Sequence, residues 1–232
     1  MKLITVAGPP SCGKTAVILK TILELHRMRI STGVVKFDCL STDDDERYDR
    51  AGIPVQKGLS GSICPDHYFA SNIEETFAWG ARSRFEILFT ESAGLCNRCS
   101  PHIRDIFAVA VIDNLSGINT PQKVGPMLRT ADVVVITKGD VVSQAEREVF
   151  ASRVRRANPR ARILPVNGLS GQGAWELARL IQEEAPEQAG VTGNRLRFPM
   201  PSAVCSYCLG EQRIGAEHQI GNVTSLDLGG TV

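Results

Sequence analysis

Lys2-Leu3-Ile4-Thr5-Val6-Ala7-Gly8-Pro9-Pro10-Ser11-Cys12-Gly13-Lys14-Thr15 decides the fold. Lys2 to Ala7 is a short apolar, β-branched run of the kind that forms a buried strand. The next eight residues fit G-x-x-x-x-G-K-[ST], the P-loop. That spacing serves one purpose: the N–H groups of a tight, glycine-hinged loop point inward at a polyphosphate, at the positive end of the following helix. The helix is legible too, because Ala16, Leu19, Leu23 and His26/Arg27 keep a helical period and no Gly or Pro intervenes before Gly33. Gly8, Ser11, Cys12, Gly13, Lys14 and Thr15 are therefore expected to line the phosphates. Lys14 would reach the β/γ-phosphates and the Thr15 hydroxyl would ligate Mg²⁺.

Outward from the loop, strand and helix patterns alternate. Gly33–Asp38 reads as a second strand, Glu86–Thr90 as a third, Phe107–Asp113 as a fourth, Asp132–Thr137 as a fifth and Arg162–Val166 as a sixth. The near-continuous apolar runs FAVAVID and DVVVIT are what strands covered on both faces look like. Helices are expected over Asn72–Ala81 with Asn72 as N-cap, over Ser143–Ala157 with the capping pair Ser143 and Glu146, and over Ala174–Glu184. Cys39 to Ser62, with its acidic run Asp43–Glu46, reads as a mobile functional loop. Asn114 to Thr130 reads as a loop with a short helix near Val124–Arg129. The expected fold is α/β: a doubly wound, mostly parallel sheet flanked by helices, a P-loop NTPase binding its ligand at the carboxyl ends of the strands. It spans residues 1–184, and a Cys-containing C-terminal tail, 185–232, is too rich in Gly, Pro and polar residues to build a core of its own.

Composition narrows the function. With 232 residues the chain has room for one such domain and a tail, and 43% hydrophobic with 22% charged residues is an ordinary globular balance. A net charge of +1 gives no reason to expect a nucleic-acid or membrane-surface partner. No apolar stretch approaches the roughly 20 residues needed to span a bilayer, and the N-terminal apolar run leads straight into the P-loop rather than to a cleavage site. A cytoplasmic location is expected. Of seven cysteines, Cys96/Cys99 and Cys205/Cys208 form C-x-x-C pairs and Cys64 begins Cys64-Pro65-Asp66-His67. In a reducing compartment such groups point to metal or redox chemistry, whereas Cys12 and Cys39 read as inert small residues.

Four segments complete a nucleotide site, each after an expected strand. Asp38 is placed to orient water or hold Mg²⁺, Glu91 to hold the metal's water, and Gly94 to meet the γ-phosphate through its N–H. Thr137-Lys138-Gly139-Asp140 has the form [NT]-K-x-D, in which the aspartate accepts from guanine N1–H and the 2-amino group, an arrangement adenine lacks. Asn167 and Gly168 follow the last strand, where a backbone N–H meets guanine O6. GTP is the expected nucleotide. No intrinsic arginine finger is identifiable, and because such an arginine is worth about 10³ to 10⁵ in rate, hydrolysis is expected to be slow until a client or second subunit accelerates it.

This combination of GPPSCGKT, VVKFD, Cys-Pro-Asp-His, ESAG, TKGD and ILPVNGLSGQG resembles the GTPases that insert nickel into hydrogenase and urease, metallochaperones of the SIMIBI class, over residues 1 to 184. The resemblance implies a nucleotide-dependent homodimer, metal handling near its interface, and a client metalloenzyme or its accessory proteins as partner. Asp66 interrupts what is a contiguous Cys-Pro-His in the urease type, so the identity of the metal does not carry over. Cys96, two residues past Gly94, is similar in placement to a cluster ligand of the nitrogenase iron protein, also of this class. Two such pairs from two subunits would supply four thiolates for a [4Fe–4S] cluster or a tetrahedral Zn²⁺.

Three readings follow. One is a GTP-hydrolysing metallochaperone carrying Zn, Ni or an iron–sulfur cluster, its candidate ligands being Cys96/Cys99 beside the sensor loop and, separately, Cys64 and His67, which sit in the mobile loop at a spacing that lets both bind one ion, with His102 as a further candidate. A second is an NTP-driven iron–sulfur reductase. A third is a nucleotide-binding switch in which Cys96/Cys99 and Cys205/Cys208 form a zinc staple that ties down the tail.

Overall fold

A computed structural model describes residues 1–199, 210–219 and 223–229. Seven strands, β1 (Lys2–Ala7), β2 (Thr32–Asp38), β3 (Val55–Leu59), β4 (Ile87–Glu91), β5 (Phe107–Asp113), β6 (Val133–Thr137) and β7 (Arg162–Pro165), form one parallel sheet in the order β3-β2-β4-β1-β5-β6-β7. Strand order reverses at β1, so the P-loop that follows it sits where the two halves of the sheet diverge. The helices are α1 (Lys14–Arg27), α2 (Asp44–Arg50), α3 (Pro65–Arg82), α4 (Thr120–Lys123), α5 (Gly125–Arg129), α6 (Gln144–Ala157) and α7 (Ala174–Glu184).

The five inner strands, β2, β4, β1, β5 and β6, are mostly apolar on both faces because both faces are covered. Ile4 and Val6 of β1 enter a core with Val17, Ile18 and Ile22 of α1 and Leu177 and Ile181 of α7. Leu3, the residue before Ile4, points the other way, into a core with Phe69 and Ile73 of α3 and Phe37 of β2. A third cluster seats Phe150 and Val154 of α6 against Ile112 and Val134. Each fully buried side chain of this size stabilises the fold by about 1.5–3 kcal/mol. The Ser143/Glu146 capping box forms as expected at the start of α6, with reciprocal backbone contacts of 3.3 and 2.8 Å.

Three expectations are corrected. The stretch 39–62 is not a loop: it contains α2 and the edge strand β3, giving seven strands rather than six. The acidic run is the first turn of α2, where carboxylates oppose the positive helix end. Helix α3 begins at Pro65 rather than after Asn72, with Cys64 as N-cap and proline in the first turn. Asn72 lies inside that helix, and its side chain donates to the carbonyls of Tyr68 and Thr224 and accepts from the Leu226 N–H. The segment 114–130 carries two short helices, α4 and α5.

Beyond α7 the chain wraps back across the domain. Val191, Leu196, Ile214, Leu226 and Leu228 bury in the α3-side core. The Arg197 guanidinium grips both oxygens of Asp132 at 2.7 Å and donates to the carbonyls of Ile103, Ile106 and Thr130. Cys205 and Cys208 lie outside the described residues. Among those described, no helix is long and apolar enough to cross a membrane.

Candidate functional site

The P-loop is held open for an anion by backbone it cannot give up. A Cβ on Gly8 would meet the Val111 carbonyl oxygen at 2.2 Å, and Gly13, N-cap of α1, has φ +96°. Lys14 is 5% exposed, and its ammonium donates to the carbonyls of Gly8 and Pro9 at 2.9 Å and of Ala93 at 3.4 Å. Among the described residues no carboxylate pairs with it. A buried charge satisfied only by carbonyl dipoles suits an incoming phosphate.

The [NT]-K-x-D segment braces this loop from the other half of the sheet. Thr137 Oγ1 donates to the Cys12 carbonyl at 2.6 Å, and Lys138, left-handed at φ +56°, donates to the Ser11 carbonyl at 2.8 Å. Asp140 stands exposed in the turn Gly139–Val141. Asn167 spends its side-chain oxygen on the N–H groups of Leu169 and Ser170, and a Cβ on Gly168 would be 2.8 Å from that of Ala16. A hollow of about 640 Å³ opens beside Asp140 and Asn167, between α6 and β7. Cys12 is fully buried, which pushes its thiol up. Cys39 donates to the Gly61 carbonyl, so neither isolated cysteine joins the cluster described below.

At the other end of the loop, hard oxygen donors gather. Thr15 Oγ1 donates to Glu91 Oε1 at 2.8 Å, and Glu91 is fully buried. Asp38 accepts from the Cys39 N–H at 2.8 Å. A hydroxyl with two carboxylates is the donor chemistry Mg²⁺ takes. Three residues outside the sequence expectation also converge here: Lys36, Asp44 and Tyr48. Lys36 Nζ lies 2.9 Å from Glu91 and Asp44 and 3.5 Å from Asp38, and the Tyr48 hydroxyl donates to Glu91 Oε2 at 2.8 Å. Burial works against the Lys36 charge, but Glu91 and Asp44 outweigh it and hold the ammonium above the ordinary lysine value. Burial, then Glu91, push the Tyr48 phenol well up, so it stays a donor. The one sequence signal was a lysine inside the apolar strand VVKFD.

Gly94 joins this pocket to the thiols. Its φ is +75°, and a Cβ there would lie 1.7 Å from the Gly8 carbonyl oxygen and 3.4 Å from Lys14 Nζ. Two and five residues on, the sulfurs of Cys96 and Cys99 are 3.1 Å apart, with the Cys64 thiol near them. Asp66, buried in the first turn of α3, has its carboxylate within 4.8 Å of both C-x-x-C sulfurs. The expectation of Cys64 with His67 in a mobile loop is thus corrected: Cys64 caps a helix and meets the Cys96/Cys99 pair. His67 is fully buried and Asp66, not His67, belongs to the ligand-atom cluster.

The neighbouring Cys99 thiol, which donates to Cys96, draws Cys64 and Cys96 down to about 6, while its own proton is held firmly. Burial, then the charges on Cys64 and Cys96, raise Asp66 to about 8. His102 is buried apart, its Nδ1 2.9 Å from Thr5 Oγ1, and burial lowers it to about 3.

Residues 2–165 match the family model described as CobW/HypB/UreG, nucleotide-binding domain. An uncharacterized protein of Methanocaldococcus jannaschii is 48% identical over 227 residues, covering 98% of this chain and 97% of its own. Urease accessory protein UreG 2 of a Bradyrhizobium species is 30% identical over 200 residues, 78% of this chain and 90% of its own. Among solved structures, the hydrogenase maturation factor HypB of Archaeoglobus fulgidus superposes with a TM-score of 0.62 at 23% identity, over 78% of this chain and 89% of that one.

Proposed function

This chain belongs to the CobW/HypB/UreG nucleotide-binding family, and from that premise we propose that it is a GTP-hydrolysing metallochaperone that delivers a thiolate-bound metal ion to a client metalloenzyme. The observation that carries the reading is a short path, one contact and then the covalent chain from Ala93 to Cys99. Lys14, the phosphate-facing ammonium, donates to the Ala93 carbonyl, and Cys96 and Cys99 follow in the same segment. A γ-phosphate drawn between Lys14 and the Gly94 N–H pulls on that segment and changes the spacing of the sulfurs.

In this reading the N–H groups of Gly13, Lys14 and Thr15 bind phosphate at the start of α1. Thr15, Glu91 and Asp38 would hold Mg²⁺, whose charge offsets that of the phosphates. Asp140 accepts from the guanine N1–H and 2-amino group, beside Asn167 and Gly168. Asp38 orients water. Relatives named as a urease accessory protein and a hydrogenase maturation factor support a client metalloenzyme or its accessory proteins as partner, and the working form in this reading is a nucleotide-dependent homodimer.

Cys64, Cys96, Cys99 and Asp66 are the proposed seat of the cargo. The Cys96 and Cys99 sulfurs and an Asp66 oxygen lie within 4.8 Å of one another, and with the Cys64 thiol drawn in from the N-cap of α3 they would make a four-donor set for a single ion such as Zn²⁺ or Ni²⁺. That supports a mononuclear cargo over an iron–sulfur cluster shared between subunits. The test is metal and sulfide analysis of protein purified without oxygen, with and without a GTP analogue, alongside GTP turnover. About one thiolate-bound metal per chain, released or tightened by the analogue, is the expected result. A chain that binds no transition metal, or one that binds it with no response to nucleotide, refutes the proposal.

A further inference from the structure

Lys36 breaks the pattern of its own strand. In the run V-V-K-F-D it is flanked by fully buried Val35 and Phe37, and it is itself 3% exposed. The parallel register sets Lys36 directly beside Glu91, and the fold answers the ammonium with three carboxylates: Glu91 and Asp44 at 2.9 Å and Asp38 at 3.5 Å.

The same Glu91 oxygen also accepts from the Thr15 hydroxyl, and the other accepts from Tyr48. Every oxygen donor assigned to Mg²⁺ is thus in contact with Lys36 or within one hydrogen bond of it. Asp44 and Tyr48 lay α2 over the corner. A buried ammonium and a divalent ion compete for the same hard oxygens, and their mutual repulsion is strong where water is excluded.

We propose that Lys36 is the resident cation of the magnesium corner: its ammonium holds Glu91, Asp44 and Asp38 until nucleotide-bound Mg²⁺ takes over their charge, and the exchange releases Asp44 and lifts α2 from the site. Lys36 is a positioning residue, acting through carboxylates rather than on substrate. The inference rests on the nucleotide half of the proposed function. It gives the metal an entry rule, since a free divalent ion must displace the ammonium unaided, whereas one arriving with phosphates brings ligands of its own.

The experiment is a titration of the full-length, metal-stripped chain with Mn²⁺, free ion being read by EPR, without nucleotide and with GDP. Lys36→Met leaves three carboxylates uncompensated, and Mn²⁺ alone is expected to bind it at least about tenfold tighter than wild type. Because removing one partner of a buried pair also costs stability, Lys36→Met/Asp44→Asn is titrated beside it, with Mn²⁺ and GDP expected to bind it at least about threefold tighter than wild type. Hydrogen exchange of residues 44–50 in the wild-type chain supplies a readout free of substitution: faster exchange with Mg²⁺ and a GTP analogue, no change with the analogue in EDTA. Equal or weaker Mn²⁺ affinity in the variants, or an α2 more protected by Mg²⁺ and analogue, overturns the proposal. Should wild type bind no nucleotide, the functional reading fails, while the nucleotide-free Mn²⁺ comparison still decides the role of Lys36.

Discussion

Gly94→Ala, compared with Gly52→Ala, separates two costs that usually come together. Both glycines are left-handed, at φ +75° and +70°, but a Cβ on Gly52 meets nothing within 4 Å, while one on Gly94 would sit 1.7 Å from the Gly8 carbonyl oxygen. Forcing alanine into that backbone region costs about 1–2 kcal/mol at either position. At Gly94 the clash adds about 1–3 kcal/mol, because the neighbour is backbone and the loops must part to restore the 3.0 Å minimum for such a contact. Urea unfolding should therefore show Gly52→Ala down by about 1–2 kcal/mol and Gly94→Ala by about 2–5 kcal/mol. Parting the loops also draws Ala93 off Lys14, now 3.4 Å away, and, in the proposed function, removes the Gly94 N–H from the γ-phosphate. A charge-assisted hydrogen bond is worth about 1.5–3 kcal/mol, so a fluorescent GTP analogue should bind roughly 10- to 150-fold more weakly. GDP, which does not reach Gly94, should lose less than about threefold, under 1 kcal/mol. Equal stability of the two variants, or equal loss of GDP and GTP analogue, would refute the reasoning.

Three further outcomes are expected. Arg197→Ala should lower stability by about 1–3 kcal/mol in urea unfolding, less than for a fully buried pair because Arg197 and Asp132 are 20% and 39% exposed; a loss below about 0.5 kcal/mol, the surface-substitution range, would mean the wrap of the chain beyond α7 is not anchored there. In metal-free protein, alkylation of Cys64 and Cys96 by iodoacetamide should persist as pH falls until about 6, rather than fading below 9.0, and Cys99→Ala should move the midpoint upward; a wild-type midpoint near 9.0 counts against the influence of Cys99. Asp66 rises from 3.8 to about 8, so between those values the folded chain keeps a proton the unfolded chain has lost, and metal-free stability falls as pH climbs through that window. Asp66→Asn should flatten the slope and be the more stable chain at pH 8; a less stable Asn variant at pH 8 contradicts the burial argument.

The sequence made legible whatever depends on neighbours in the chain. The P-loop, the doubly covered strands and the Ser143/Glu146 cap are local or periodic, and each stands where the pattern put it. Helix α3 was misplaced because Asn72 looks like a cap, whereas its side chain answers Thr224 and Leu226, more than 150 residues away. The better signal was Pro65 after Cys64, a first-turn proline followed by an acidic residue. Edge strand β3 was hidden by Lys57 and Gly58; the glycine is needed where Tyr68 and Leu226 crowd within 3.0 and 3.2 Å. The association of Cys64 with Cys96 and Cys99 was not legible at all, since it follows from the packing of α3 beside the segment after β4. Lys36 is the instructive case. Its oddness was visible, but its meaning required the register with β4.

The bracing of the P-loop by distant segments has a consequence for the order in which the molecule can be made. Its octet is translated first, yet its hydrogen-bonding partners arrive late: Ala93 is 79 residues from Lys14, Thr137 is 125 from Cys12 and Lys138 is 127 from Ser11. Such long separations place closure of the loop late in folding. A nascent chain ending before residue 137 has the P-loop sequence and five complete strands of the seven but no brace on the Cys12 carbonyl. In the proposed function, competence to hold nucleotide therefore comes after β6, when the segment carrying Cys96 and Cys99 has already been made, so a growing chain has its thiols before the engine that would act on them.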